Sequence, residues 1–145
     1  MDFPKLALAH LVFTLAMVGV MTAVQLVIYP AFRDVTEADF ASYVTTHGQN
    51  IVRPLALFAP AEVVLALLLW LSAPSGTVKT VAFISGLLLA VAWLATAGWY
   101  GPFHGRLANE PHDRALIDQL INTNWARTII WWLRGGVAVW LLTQA

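Results

Sequence analysis

The chain has no cysteine, which removes disulfides, thiolate catalysis and thiolate metal ligation and says nothing about compartment. Charge is scarce as well. Eight basic and eight acidic residues cancel, and no Lys/Arg cluster exists that would track phosphates, so nucleic acid is not an expected partner. No internal repeat, low-complexity run or linker divides the chain, and residues 1–145 read as one domain. What is abundant is apolar: 59% hydrophobic residues with 11% charged and a mean hydropathy of +0.71 do not describe a soluble domain.

Four windows, Leu6 to Tyr29, Leu55 to Leu71, Val78 to Tyr100 and Trp125 to Leu142, are long and apolar enough to span a bilayer. They predict helices over about 6–29, 53–72, 78–100 and 125–143. The first is read as a retained helix, because its apolar run ends at Gln25 to Pro30 without a small-residue cleavage site. The expected fold is therefore all-α, an integral membrane four-helix bundle with short amphipathic helices in two polar-side loops. Four crossings put both termini and a Ser72 to Thr77 turn on one side, and the loops 30–52 and 101–124 on the other. In the first loop Thr36 and Asp39 have capping-box spacing, and Phe40, Tyr43, Val44, His47 and Ile51 recur as one apolar face that turns His47 inward. In the second, Pro111 is a plausible first helical residue, followed by Leu116, Ile117, Leu120 and Ile121 as an inward stripe. The polar side holds Arg33, Arg53, Arg106, Arg114 and Arg127 against Lys5 and Lys79 opposite, which leans towards a cytoplasmic polar side. A bacterial inner membrane is the expected location.

Glu62 interrupts the second window, and an intramembrane carboxylate is costly enough to need a partner or a function. Glu62 lies nine residues past Arg53 and Arg134 nine past Trp125. At the helical rise both sit about 13 Å below the same face, so they are expected to meet. Two readings stand side by side: a structural ion pair fixing the register of helices two and four, or a base with its oxyanion partner in a pocket. Pro60, two residues before Glu62, should kink its helix and free a backbone acceptor. Asn124, Arg127, Trp131, Arg134 and Ala138 form one stripe on the last helix, with an indole between two guanidiniums. Gln25 on helix one is placed to reach Glu62 or to bond another helix, whereas His10 falls near the opposite face and reads as an interface residue.

His47, His104 and His112 belong to the polar-side loops and are candidates to converge above Glu62. Two His with one carboxylate would suit non-haem iron, so any metal would be held by His47, His104 and Glu62. No local HxxxH or ExxH spacing supports this, and the cofactor is read as none or non-haem iron.

The order Gln25-xxx-Tyr29-Pro30, His47, Pro54, Glu62, Pro102-x-His104, then Asn124-Trp125-x-Arg127 with Trp131 and Arg134 resembles a family of bacterial four-helix membrane proteins related to the anthrone-oxygenase-like proteins. The resemblance implies oxidation of an apolar aromatic, anthrone- or quinone-like substrate in a pocket between helices. In that reading Glu62, Arg134, His47 and His104 are catalytic, and Gln25, Tyr29, Trp131, Arg127 and Asn124 bind substrate. Relatives often carry His before the Tyr-Pro pair, where Ile28 stands here. The alternative is a non-enzymatic membrane subunit, or a factor binding lipid or quinone. Expected partners are the lipid bilayer, an apolar small molecule and, as an option, further copies of the chain.

Overall fold

The computed structural model describes residues 2–74 and 76–145, so Ser75 of the predicted Ser72 to Thr77 turn lies outside the described residues. Nearly all of the chain is helical, in four long helices: α1 (Phe3–Asp34), α2 (Glu37–Ser72), α3 (Thr77–Asn109) and α4 (Arg114–Thr143). No strand occurs among the described residues. The first three are long and apolar enough to cross a membrane. α4 is the least apolar, because Asn124, Arg127 and Arg134 lie on it, and all three are buried inside.

The loops predicted on the polar side are mostly not loops. The first amphipathic segment is not a separate helix but the opening third of α2, which runs unbroken through Pro54 and Pro60. The predicted capping residue is right: Thr36 accepts from the Asp39 backbone N–H at 3.3 Å and its hydroxyl donates to the Asp39 carboxylate at 2.7 Å. The second segment likewise merges with the last spanning window. Its helix begins at Arg114, not Pro111, because Asp113 supplies the cap, accepting from Ala115 N–H at 2.8 Å. Continuity wins because each amphipathic face is carried on in register by the apolar stripe of the adjoining window. At the opposite end Gly76, with φ of 80°, turns the chain into α3 in a conformation that glycine adopts without a Cβ penalty.

The buried clusters fix the topology. At one end Leu6 and Ala7 of α1 meet Leu65 and Leu69 of α2, Ala82 of α3 and Leu141 of α4. At the other, Tyr29 and Phe32 meet Phe40 and Val44, Tyr100 and Phe103, and Leu116 to Ile121. Starts of α1 and α3 thus lie with ends of α2 and α4, an up-down-up-down arrangement in which each helix packs on two neighbours.

α1 and α3 share a second feature with a sequence cause. Each widens into a π-helical turn, Val24–Ile28 in α1 and Thr96–Tyr100 in α3. Pro30 and Pro102 each stand two residues past the end of one of these turns. A proline cannot donate to the carbonyl four residues back and its ring crowds it; those carbonyls belong to Leu26 and Gly98, inside the two π turns. Widening the turn relieves the clash without breaking the helix.

Candidate functional site

Glu62 and Arg134 meet as expected. Both are 0% exposed, and one Arg134 terminal nitrogen donates to both Glu62 carboxylate oxygens, at 3.1 and 3.3 Å. The remaining guanidinium donors reach the Ser85 carbonyl at 3.2 Å and the His10 ring at 3.5 Å, and the guanidinium lies 4.8 Å from the Trp131 ring centroid. His10 is therefore not an interface residue. It is 1% exposed and belongs to this cluster, because α1 turns its His10, Thr14 and Met17 stripe inward.

Gln25 does not serve Glu62. Its side-chain N–H donates to the Ile121 carbonyl at 3.1 Å, and its carbonyl accepts from Asn124 at 2.7 Å and Thr128 at 3.4 Å. This amide network clasps α1 to α4 through the Asn124 amide nitrogen, while Asn124 Oδ1 is buried without a partner. Trp131 does not bridge two guanidiniums either. Arg127 stacks instead on Tyr100, 4.1 Å from its ring centroid.

Around Arg127 the four helices leave a cavity of about 260 Å³. Tyr29 comes from α1, Gly48, Ile51 and Leu55 from α2, Thr96, Tyr100 and His104 from α3, and Arg127 from α4. Arg127 donates to the Thr96 hydroxyl and the Tyr29 hydroxyl, each at 3.2 Å, and its Nε–H has no partner. His104 Nδ1 lies 2.6 Å from the Tyr100 carbonyl, and since a carbonyl only accepts, Nδ1 carries the proton. In the neutral ring the lone pair is then on Nε2, which is buried without a partner. His47 is turned inward as predicted, stacking on His104 with centroids 5.5 Å apart and meeting Tyr29 and Phe32 edge-on. Both π turns supply walls of this cavity, Val24 from one, Thr96 and Tyr100 from the other. Such turns recur at functional sites.

No protein-family model, curated protein or solved structure matches this chain. The site is therefore argued from its own geometry.

The residues expected in one pocket divide into three groups: Glu62 with Arg134 and Trp131, Gln25 with Asn124, and Tyr29, His47, His104 and Arg127 at the polar end. Glu62 and Arg134 line neither this cavity nor the larger apolar groove between α2 and α3. Among the described residues no three His, Cys, Asp or Glu side chains are placed to hold a metal ion. The set His47, His104 and Glu62 is thus not assembled, because Glu62 is engaged by Arg134 and His104 belongs to the cavity around Arg127. His112 leaves the group as well, its ring against Phe40 at 4.6 Å. Tyr100 and Thr96 were not singled out from sequence. The signal was present in the four-residue spacing of Thr96, Tyr100 and His104.

Proposed function

We propose that this protein is an integral membrane four-helix bundle, in a bacterial inner membrane with its polar end towards the cytoplasm, that holds an apolar small molecule by a polar head under Arg127. Membrane placement is supported by the outward faces of all four helices, where Val12, Leu67, Leu94 and Leu133 are all more than half exposed. The observation that carries the binding reading is Arg127 itself. It is 5% exposed, has no carboxylate within ion-pair distance among the described residues, lines the cavity and has a buried donor without a partner. A buried cation left so is costly, and a ligand with an acceptor or a negative charge removes that cost. The test is extraction and mass spectrometry of small molecules carried through purification in mild detergent. The wild-type protein should retain a molecule with an apolar body and a polar head that Arg127→Leu loses while remaining folded. Identical extracts from both overturn the reading.

A second reading, oxidation of an apolar aromatic, anthrone- or quinone-like substrate, is favoured by the bare Nε2 of His104. The duties assigned from sequence to Glu62 and Arg134 then fall to His104, which takes a proton from the substrate, and to Arg127 with Tyr29, which hold the oxyanion. Dioxygen would serve as the oxidant. Oxygen uptake with anthrone as substrate checks it: His104→Asn should lower turnover about a hundredfold, the scale of a lost general base. No uptake by the wild-type protein would remove this reading and leave the binding one.

A further inference from the structure

A second hollow lies on the same seam between α2 and α3. It is a groove of about 330 Å³ whose walls include Val63, Ala66 and Trp70 of α2 and Phe83, Gly86 and Trp93 of α3. Val63 and Phe83 are about half exposed, so the groove opens outward. On α3 the groove ends at Trp93 and the pocket begins at Thr96, one turn further; on α2 Val63 and Leu55 are separated by about two turns. From Ala82 to Trp93 the groove runs eleven residues, about 16 Å at the helical rise. A polar-headed pocket and a long groove of apolar side chains thus lie end to end on one seam, as two hollows with no lining residue in common.

The head is specified by three unpartnered functions. Arg127 Nε–H is a donor without an acceptor. The Tyr29 hydroxyl accepts from Arg127 and so keeps its own proton to give. His104 Nε2 is an acceptor without a donor. The walls include a guanidinium and no carboxylate, which favours an anion over a cation. Esters, ketones and phosphodiesters accept but have no proton for His104, and an alcohol has one oxygen and no charge. A carboxylic acid has two oxygens and one proton.

We infer that pocket and groove together hold a single-chain carboxylic acid, one carboxyl oxygen accepting from Arg127 and Tyr29, the acid proton shared with His104 Nε2, and the chain lying along the α2–α3 seam towards Trp70. This rests on the reading of the pocket under Arg127 as a ligand site. It adds the class of ligand and the course of its chain.

The test is binding of radiolabelled hexadecanoic acid to the full chain in nanodiscs, with methyl hexadecanoate, hexadecan-1-ol and phosphatidylglycerol as competitors. Unlabelled acid should compete at least about tenfold better than each, the scale of one hydrogen bond to a charged group. His104→Asn removes Nε2 alone, since an Asn there can bond the Tyr100 carbonyl as Asn109 bonds the Gly105 carbonyl at 2.7 Å in the same helix. It should erase the preference for acid over ester. Gly86→Leu places a side chain in the groove, where a Cβ meets nothing within 4 Å, and should weaken hexadecanoic acid while leaving octanoic acid unchanged. If the ester or phosphatidylglycerol competes as well as the acid, the carboxylic head is wrong, although the pocket reading stands. If the labelled acid does not bind, the inference falls, and the extract of the purified protein then decides the pocket reading by itself.

Discussion

Removing the Glu62 charge should cost the fold about 3 kcal/mol and leave the polar-end pocket intact. The magnitude comes from the geometry. At 3.1 Å and an effective dielectric of about 20, the pair attracts by about 5 kcal/mol. Glu62→Gln keeps one oxygen to accept from Arg134, so part of that attraction survives as a neutral hydrogen bond. What cannot be recovered is a counter-charge for Arg134, which then meets only neutral groups, the introduced amide oxygen, the Ser85 carbonyl, the His10 ring and the Trp131 face, in a site closed to water. Arg134→Met should cost a similar amount by stranding Glu62. The double variant removes both charges and should recover most of the loss, with a coupling of about 2 kcal/mol or more. Unfolding in mixed micelles, followed by circular dichroism, measures all four proteins. Single variants within about 1 kcal/mol of wild type, or losses that simply add, would refute the pairing argument. A stable Glu62→Gln protein that loses turnover of an aromatic substrate would instead return Glu62 to catalysis.

Three smaller perturbations separate clasp, pocket and turn. Asn124→Leu breaks the 2.7 Å bond to Gln25 and leaves a buried amide carbonyl short of a donor; a loss of about 1 to 3 kcal/mol in the same unfolding assay is expected. Tyr100→Phe keeps the ring under Arg127 and removes only the 2.8 Å bond to the Thr123 carbonyl; stability should fall by about 1 kcal/mol while ligand retention is unchanged. Pro102→Ala restores a backbone donor and with it a regular α turn. This should rotate Tyr100 and Thr96 out of the pocket wall, so ligand is lost while the helix becomes more stable, as read by hydrogen exchange at 96–100.

Much of the framework was legible because its causes are local. Apolar windows gave the four helices, equal depth gave the Glu62–Arg134 pair, and three-to-four spacing turned His47 inward and buried the whole Asn124 to Ala138 stripe. Helix ends were less legible, since an amphipathic segment and the apolar window beside it look like separate elements until their faces are seen to be in register. The grouping of polar residues was the least legible part. Depth alone does not give rotation about a helix axis, so Gln25 looked as near to Glu62 as to Asn124, and His10 looked peripheral. The π turns compounded this, because each rotates the residues after it away from the ideal spacing. Tyr29, Tyr100 and His104 sit just where that rotation acts.

Gly48 offers the most direct measurement of the central claim, that the cavity under Arg127 is a binding site and not a packing defect. It lines that cavity from the end of the first third of α2, and a Cβ there meets nothing within 4 Å. Gly48→Leu should fill the space and raise helix propensity, stabilising the protein by about 0.5 to 1 kcal/mol. Ligand retention should nevertheless be lost, as measured by mass spectrometry of the bound molecule in matched wild-type and variant preparations. A Gly48→Leu protein that is stable and still holds the same molecule in the same amount would contradict the account.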